Sequence, residues 1–138
     1  MKIFVVIPAH NEEKKIGKVL KDLKKNGYMH VIVVDDGSSD RTMDIAENYA
    51  TVIRHPINQG AGAATVTGFD YAVRHGADII VTIDADGQHD VSDIKKVIRP
   101  ILDKKAELVI GSRLLNSAGM PFVRKFGNSC LNIITLLL

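Results

Sequence analysis

Residues 78–90, DIIVTIDADGQHD, place a run of mostly β-branched apolar side chains directly before a cluster of acids. The apolar part, residues 79–83, predicts a buried β-strand. Asp84, Asp86 and Asp90 follow it within a few residues. Carboxylates at the end of a buried strand repel one another and are costly to remove from water. We therefore expect a positive charge to lie among these acids.

The composition is that of one globular domain. The chain has 138 residues, of which 46% are hydrophobic and 25% are charged, and its net charge is +2. This charge is too small to indicate nucleic acid binding, and the absence of Trp argues against a surface that stacks bases. Cys130 is the single cysteine, which excludes an internal disulfide and is compatible with the cytoplasm. We therefore expect a cytoplasmic globular protein with no nucleic acid partner.

Segments typical of strands and helices alternate along the chain. The predicted strands are KIFVVIP (2–8), HVIVVDDGSSD (30–40), TVIRH (51–55), ADIIVTIDAD (77–86) and AELVIGSR (106–113). The predicted helices lie in NEEKKIGKVLKDLKKNG (11–27), SDRTMDIAENYA (39–50), NQGAGAATVTGFDYAVRHG (58–76) and SDIKKVIRPILDKK (92–105). We expect Asn11 to cap the first helix, Gly27 to end it, and Pro100 to kink the last one. Continuously apolar strands that alternate with helices predict an α/β fold with a mostly parallel sheet flanked by helices.

Polar residues follow each predicted strand. Ligands of parallel sheets bind outside the carboxyl ends of the strands, so these residues are candidates for a common site. They are Pro8, His10 and Glu12 after the first strand, Asp35 and Asp36 after the second, NQGAGAA (58–64) after the third, Asp84, Asp86 and Gln88 after the fourth, and Gly111, Ser112 and Arg113 after the fifth. Ordinary helix capping is the simpler interpretation for Asp90 and Asp93.

The pair Asp84 and Asp86 suits a hard divalent cation, Mg²⁺ or Mn²⁺. Such a cation shares its shell with water and substrate phosphates, so the pair predicts a phosphorylated substrate, in particular a diphosphate. The sequence has no G-x-x-x-x-G-K-[ST] motif, which excludes a P-loop. The segment GAGAAT (60–65) does not follow the first strand, so it does not match a dinucleotide-binding fingerprint.

Five segments in register resemble those of family 2 glycosyltransferases, and the resemblance covers nearly the whole chain. They are VVIPAHNEEKKI, VIVVDDGSSDRT, NQGAGAA, VTIDADGQHD and VIGSRL. Within the family, they are most similar to dolichol-phosphate mannosyltransferases and other polyprenyl-phosphate glycosyltransferases. The resemblance implies the nucleotide-diphospho-sugar transferase fold (GT-A, Rossmann-like). It also implies a metal-dependent, inverting transfer from a GDP- or UDP-linked sugar to a polyprenyl (dolichyl) phosphate.

The resemblance also implies roles for individual residues. The positions that match nucleotide-sugar contacts are Pro8, His10, Glu12, Val34, Asp36, Asp84, Ala85, Asp86 and Gln88. Among them, Asp84, Asp86 and Gln88 match the metal site, and Asp84, Asp86 and Arg113 match the catalytic set. Arg113 and Arg124 match arginines that hold the acceptor phosphate. His10 stands where the family often has tyrosine.

The resemblance divides the chain into residues 1–120, which bind the nucleotide sugar, and residues 121–138, an apolar interface helix. The last residues, LNIITLLL (131–138), would leave a large apolar patch exposed on a lone helix. That patch predicts a core helix, a contact between copies of the chain, or a helix lying on the cytoplasmic face of a membrane. Relatives continue beyond this point, so we expect a truncated chain that binds nucleotide and transfers sugar weakly.

Three alternative functions differ in the residues that they require. A binding module would hold a nucleotide sugar, or would pack with a partner, without turnover. A glycosyltransferase with a saccharide hydroxyl acceptor would need a positioned general base, and His89 is better interpreted as a solvent-facing loop residue. A sugar nucleotidyltransferase would need a loop rich in glycine and arginine after its first strand, where this chain has PAHNEE (8–13).

Overall fold

The computed structural model describes residues 1–111 of the chain. One compact unit comprises residues 1–96 and contains the sheet, and a second begins at Val97. The predicted boundary between residues 120 and 121 and the predicted interface helix lie outside the described residues. Among the helices of the described range, none combines the length and the apolar character needed to cross a membrane.

The structure alternates strands and helices in the predicted order. The elements are β1 (Ile3–Ala9), α1 (Ile16–Lys25), β2 (His30–Asp36), α2 (Thr42–Ala46), β3 (Thr51–His55), α3 (Ala61–Arg74), β4 (Ile79–Thr82), a short 3-10 helix (Val91–Asp93) and α4 (Ile94–Leu102). The four strands within residues 1–111 are parallel, and their order in the sheet is β3-β2-β1-β4. The predicted α/β fold with a parallel sheet is confirmed.

The strand order determines which face of the sheet each helix covers. The chain moves outward from β1 to β2 and β3, and then returns past both to place β4 on the other side of β1. Because connections between parallel strands are right-handed, this reversal puts α1 and α2 on one face and α3 on the other. The change of direction also creates the crevice at which doubly wound sheets bind ligands.

Helix α3 packs closely on one face of the sheet. The core on this face is formed by buried residues of β1, β2 and α3, namely Phe4, Val6, Ile32, Val34, Ala64 and Ala72. Gly68 sits at the point of closest approach, where a Cβ atom would lie 2.3 Å from Cγ1 of Val6 and 3.3 Å from Cγ2 of Val34. Small residues on α3 therefore set the distance between the helix and the sheet.

The opposite face of the sheet carries the alternate side chains of β1 and β2, and these are also buried. Val5, Ile7, Val31 and Val33 are all 6% exposed or less. The predicted apolar positions of α1 are also buried, namely Ile16, Val19, Leu20 and Leu23. The two faces together give the continuously apolar strands from which the parallel sheet was predicted.

Helix α1 begins at Ile16, four residues later than a helix capped by Asn11 would begin. Asn11 does not cap it, because the backbone of Asn11 is left-handed, with φ of 54°. Instead, the Glu12 carbonyl accepts hydrogen bonds from the N–H groups of Lys15 and Ile16, so that a turn precedes the helix. The predicted end at Gly27 is confirmed, since this glycine has φ of +85° just beyond the last helical residue.

Strand β1 continues through Pro8, where the sequence predicted that it would end. Pro8 is paired with Val34 of β2, whereas pairing with β4 stops at Val6. Proline lacks an N–H group and is tolerated where a strand has no neighbour on one side. The strand therefore reaches Ala9 with only β2 beside its last residues.

The predicted fifth strand is wrong over the residues that the structure describes, 106–111, which form neither helix nor strand. Leu108 and Ile110 are 78% and 81% exposed. A β-branched run forms a strand only when a neighbouring strand supplies hydrogen bonds and cover, and none in residues 1–111 pairs with it. Pro100 lies inside α4, which continues to Leu102.

The close approach of α3 gives a prediction about stability. Gly68→Ala should lower the free energy of unfolding by about 1–3 kcal/mol, because the new methyl group collides with Val6. Gly62→Ala on the same helix is the matched control, since a Cβ atom there meets nothing within 4 Å. The control should be neutral or should stabilise by up to about 1 kcal/mol. Urea unfolding of both variants measures the difference, and equal effects would contradict the close packing.

Candidate active site

The parallel register brings the predicted polar residues to one edge of the sheet. Ala9 is paired with Asp35, and Asp36 is paired with His55. On the other side of β1, the Ile83 N–H donates to the Val6 carbonyl at 3.2 Å, which places the following acids beside the end of β1. The ends of all four strands therefore border the same region, referred to below as the carboxyl edge.

The Asp36 carboxylate at the carboxyl edge accepts hydrogen bonds from several groups. Its side chain is 3% exposed. Its Oδ1 atom accepts hydrogen bonds from His55 Nδ1 at 2.7 Å and from the Gln59 N–H at 3.0 Å. Its Oδ2 atom accepts from the Gly60 N–H at 2.7 Å. One carboxylate therefore ties the end of β2 to the end of β3 and to the turn that starts α3.

The surroundings of Asp36 favour its charged form. Burial of the carboxylate alone would raise its pKa, but the hydrogen bonds from the Gln59 N–H, the His55 ring and the Gly60 N–H outweigh that penalty. The pKa of Asp36 is therefore lower than the ordinary value of 3.8. Asp36 is consequently a buried anion at neutral pH.

The partners of Asp36, namely His55, Gln59 and Gly60, were not predicted from the sequence. The register contains the signal that would have found the first of them, because His55 ends β3 level with the residue that ends β2. The two backbone donors depend on how the turn at residues 58–60 folds. No periodicity in the sequence encodes that turn.

The structure defines the tautomer of His10. A backbone carbonyl only accepts hydrogen bonds, so Nδ1 of His10 donates to the Asp36 carbonyl at 2.8 Å. The Asn11 side chain is oriented by the Ser39 N–H, which donates to Asn11 Oδ1 at 2.9 Å. The Asn11 amide nitrogen therefore faces Nε2 of His10 at 3.1 Å and donates to it. His10 is thus an exposed ring held in one orientation at the carboxyl edge.

The loops after β1 and β2 are joined by further hydrogen bonds. Each bond links a backbone N–H group of one loop to a side-chain oxygen of the other. The pairs are Asn11 N to Ser38 Oγ at 2.9 Å, Glu12 N to Thr42 Oγ1 at 2.7 Å, Glu13 N to Asp40 Oδ2 at 3.1 Å, and Arg41 N to Glu13 Oε2 at 3.2 Å. The backbone N–H groups of residues 11–13 thereby have hydrogen-bond acceptors without being part of a helix. Helix α1 can therefore begin after them.

Asp35 is fully buried beside the same loops. Its Oδ1 atom accepts from the Ser38 N–H at 3.3 Å, and its Oδ2 atom lies 3.5 Å from Nε of Arg54. Arg54 also donates from Nη2 to the Ser38 carbonyl at 3.2 Å. Gly37 has φ of +67°, and a Cβ atom there would lie 2.7 Å from backbone atoms of Ile57 and Asn58. The chain after β2 therefore packs directly against the turn before α3.

The acids after β4 are much more accessible. The Asp84 side chain is 65% exposed, and its Oδ2 atom lies 3.0 Å from Nε2 of His89. Asp86 is half-buried, and its Oδ1 atom accepts from the Gln88 N–H at 2.9 Å. Gly87, with φ of +69°, completes the turn. His89 is partly exposed, as predicted for a loop residue, but its contact with Asp84 was not foreseen.

The turn from Asp84 to Gln88 fits a hard cation by the chemistry of its donors. Each carboxylate has about four lone-pair positions, so the hydrogen bonds from His89 and Gln88 do not exhaust them. Within residues 1–111, no three His, Cys, Asp or Glu side chains are placed to hold a metal ion together. A cation at Asp84 and Asp86 would take further ligands from water and phosphate, which suits Mg²⁺ and Mn²⁺.

The remaining predicted contacts differ in exposure. Val34 and Ala85 are buried, at 0% and 3% exposure, so their side chains face the protein interior. Pro8 is half-buried at the end of β1. The Glu12 carboxylate is paired with Lys15 Nζ at 3.7 Å. The predicted acceptor residues Arg113 and Arg124 lie outside the described residues. The assignment of these side chains to a ligand stays a prediction.

Comparison with known proteins shows one family. The profile of glycosyl transferase family 2 matches residues 4–131. The UDP-N-acetylglucosamine–dolichyl-phosphate N-acetylglucosaminyltransferase of Methanococcus voltae is 43% identical over 99% of this chain and 62% of that protein. The polyprenol monophosphomannose synthase of Mycolicibacterium smegmatis is 33% identical over 79% of this chain and 44% of its own length. The chain therefore spans less than two thirds of the length of these relatives.

A solved structure shares the fold. Glucosyl-3-phosphoglycerate synthase from Mycobacterium tuberculosis, in complex with Mn²⁺, UDP and glucosyl-3-phosphoglycerate, matches with a TM-score of 0.61 and 28% identity. The match covers 73% of this chain and 39% of that one. The fold predicted from the resemblance is confirmed.

The hydrogen-bonded acids give a prediction about acid stability. For Asp40, burial opposes ionisation, but hydrogen bonds from the hydroxyl and N–H of Thr42 and from the Glu13 N–H lower its pKa. Asp36 is shifted in the same direction. Because both pKa values are lower in the folded protein, the stabilisation is present above the ordinary value of 3.8 and is lost as the pH falls through the folded values.

Asp40→Asn should therefore reduce the loss of unfolding free energy between about pH 5 and about pH 2. Urea unfolding across this range measures the slope. Asp70→Asn is the matched control, because Asp70 forms an exposed ion pair with Arg74, and such pairs contribute little. An unchanged acid slope in Asp40→Asn would show that its hydrogen bonds do not favour the ionised form.

Proposed function

The chain belongs to glycosyl transferase family 2, and we propose that it binds a nucleoside-diphosphate sugar at the carboxyl edge for transfer to a polyprenyl phosphate. The observation that carries this proposal is the exposed turn of Asp84 and Asp86 at the end of β4, beside the ends of β1 and β2. The relatives named for transfer to dolichyl phosphate and for polyprenol monophosphomannose synthesis support the acceptor.

A uridine nucleotide is the donor that the comparisons favour. The relative that is 43% identical is named for UDP-N-acetylglucosamine, and the solved structure with the same fold contains UDP and Mn²⁺. A guanosine nucleotide is the alternative. The ring of His10 is exposed at the carboxyl edge, where a base or ribose would lie in this proposal. UDP and GDP should therefore be compared directly.

In this proposal, the acids after β4 hold a divalent cation with the diphosphate. Asp84 and Asp86 supply carboxylate oxygens, and Gln88 supplies an amide oxygen. A divalent cation bound by these residues would supply positive charge beside the diphosphate leaving group. The exposure of Asp84 leaves room for water and phosphate oxygens beside the carboxylates. We propose Mn²⁺ or Mg²⁺ for this position, with Mn²⁺ supported by the solved structure.

The acceptor chemistry favours a phosphate over a hydroxyl group. The second pKa of a phosphate monoester is about 6, so the acceptor is mostly dianionic at neutral pH and needs no general base. It attacks the anomeric carbon from the face opposite the diphosphate, which inverts that centre. Arg113 and Arg124 would hold the acceptor phosphate by charge-assisted, bidentate hydrogen bonds.

A polyprenyl acceptor would place the protein at a membrane surface. The apolar residues 131–138 are the segment of this chain that would lie on the lipid, at the cytoplasmic face. Contact between copies of the chain through residues 121–138 is another way to cover these side chains. Sedimentation with polyprenyl phosphate vesicles and the oligomeric state in their absence distinguish the two arrangements.

The metal assignment predicts the behaviour of Asp86→Ala. UDP binding in the presence of Mn²⁺ should weaken by at least about tenfold and lose its metal dependence, since even an indirect partner of a metal ligand can contribute that much. Asp93→Ala is the control, because Asp93 pairs with Lys96 on the exposed surface. Calorimetric titration with and without Mn²⁺ measures both effects. Unchanged affinity and metal dependence in Asp86→Ala would place the cation elsewhere.

The acceptor assignment predicts that Arg113→Ala and Arg124→Ala separate transfer from donor binding. Each should lower the rate of transfer to polyprenyl phosphate by about tenfold or more, because a hydrogen bond to a charged group contributes about 1.5–3 kcal/mol. Affinity for UDP should change much less. Arg99→Ala serves as the control, because Arg99 pairs with Asp103 on the surface. If UDP binding falls as far as transfer does, these arginines belong to the donor site.

A further inference from the structure

His55 is a buried titratable residue that the proposed mechanism does not use. It is 7% exposed and lies at the end of β3. Its Nδ1 atom is 2.7 Å from Asp36 Oδ1, and its Nε2 atom is 3.0 Å from Oγ1 of Thr67. Both ring nitrogens are therefore within hydrogen-bond distance of a side chain, one on β2 and one on α3.

The direction of each hydrogen bond follows from the groups involved. The hydrogen bonds around Asp36 lower its pKa, so its carboxylate is ionised at neutral pH and can only accept. Nδ1 of His55 therefore carries a hydrogen. In a neutral ring, Nε2 is then an acceptor, and the Thr67 hydroxyl donates to it. The result is a directed chain of hydrogen bonds from Thr67 through His55 to Asp36.

This chain of hydrogen bonds attaches α3 to the sheet edge at two points. Asp36 holds the N–H groups of Gln59 and Gly60 where the helix starts. Thr67 lies about two turns further along the same helix and is held by His55. The imidazole ring therefore bridges the body of α3 to the carboxylate that holds its first turn.

The turn held by Asp36 has an uncommon backbone. Gly60 has φ of 93° and ψ of 151°, a region that is essentially restricted to glycine. A Cβ atom at Gly60 would meet nothing within 4 Å, so crowding does not account for the glycine. The backbone of this turn borders open space, and a ligand can approach it closely. Asp36 holds this turn in place, because the N–H groups of Gln59 and Gly60 both donate to its carboxylate.

We propose that His55, acting through Asp36 and with Thr67, positions the Gly60 turn for binding of the nucleoside diphosphate. The inference rests on the proposed function, because the ligand is the donor nucleotide. In it, Asp36 acts on the nucleotide through the turn that it holds. Its side chain is 3% exposed, and both of its oxygens already accept hydrogen bonds from the protein. His55 is a positioning residue and does not touch the reacting atoms.

Substitutions at two positions separate the hydrogen bonds of this chain. In His55→Asn, the amide nitrogen takes the place of Nδ1 and keeps a donor to Asp36, but the contact with Thr67 is lost. In His55→Gln, the longer side chain reaches the place of Nε2 and keeps the contact with Thr67, but the donor to Asp36 is lost. Thr67→Val removes the hydroxyl at nearly constant shape, and Thr67→Ser retains it.

A variant that is destabilised elsewhere controls for a purely structural role. Leu20 is 2% exposed on α1, which covers the opposite face of the sheet, so Leu20→Ala should lower stability without a change at the Gly60 turn. The dissociation constants of UDP and GDP are measured by calorimetry in Mn²⁺ on the whole chain, well below each melting temperature. Melting temperatures are measured in parallel.

We expect His55→Gln to weaken UDP binding by about tenfold, because the donor to a buried charge is lost. His55→Asn and Thr67→Val should weaken binding severalfold, and Thr67→Ser should bind like the wild type. Leu20→Ala should melt at a lower temperature with unchanged UDP affinity. The affinity for Mn²⁺ should be preserved in all variants, since the acid turn after β4 is not altered.

Three results would overturn the inference, and they differ from a failure of the proposed function. If wild-type protein binds UDP or GDP and His55→Gln binds it equally well, His55 does not position the site. If Asp36→Asn weakens binding and none of the His55 and Thr67 variants does, Asp36 acts on the nucleotide without His55. If Leu20→Ala loses as much affinity as His55→Gln at the same melting temperature, the effect is structural. A wild-type chain that binds neither nucleotide would overturn the proposed function together with this inference.

Discussion

The buried carboxylate of Asp36 is the interaction on which the carboxyl edge of the sheet depends. A charge with 3% exposure is tolerated only when donors replace water, and here three donors do so. They come from the end of β3 and from the turn before α3, so satisfying one charge fixes three segments at once. Asp36 thereby couples strand pairing to the position of α3, the helix whose glycine and alanines set its close packing on the sheet.

The acids of the carboxyl edge fall into two groups. Asp35, Asp36 and Asp40 have protein partners, namely Arg54, His55 and the N–H groups of neighbouring loops. Asp84 and Asp86 lie on an accessible turn with fewer contacts. For the first group, side chains and backbone dipoles offset the negative charge. The positive charge expected from the sequence concerned the acids after β4. For this second group, that expectation remains the basis of the proposed cation, because these carboxylates retain room for further ligands.

The same division gives the site of the proposed glycosyltransferase two sides. One is held by hydrogen bonds between loops, and the other is accessible to a ligand. Hydrogen bonds between the loops after β1 and β2 hold His10 in one tautomer and Asn11 in a left-handed conformation. A left-handed backbone at a residue other than glycine costs energy, so it persists only where surrounding contacts hold it. Residues of this kind are concentrated at functional sites. A nucleoside would meet prearranged groups on this side, whereas the diphosphate would meet the exposed acids. Prearrangement of this kind lowers the entropic cost of binding.

The sequence alone determined the fold class and most of the elements, because apolar periodicity is a local property, and five of its motifs resembled those of the family. β3 has the predicted bounds, and the buried residues of α1 are those with helical spacing. Only the tertiary structure decided where α1 begins, how β1 passes Pro8, and that residues 106–111 form no strand. It also decided that His55 and Gly60 meet Asp36, at separations of 19 and 24 residues. These features depend on hydrogen-bond partners that are distant in sequence, and the fold alone brings them together.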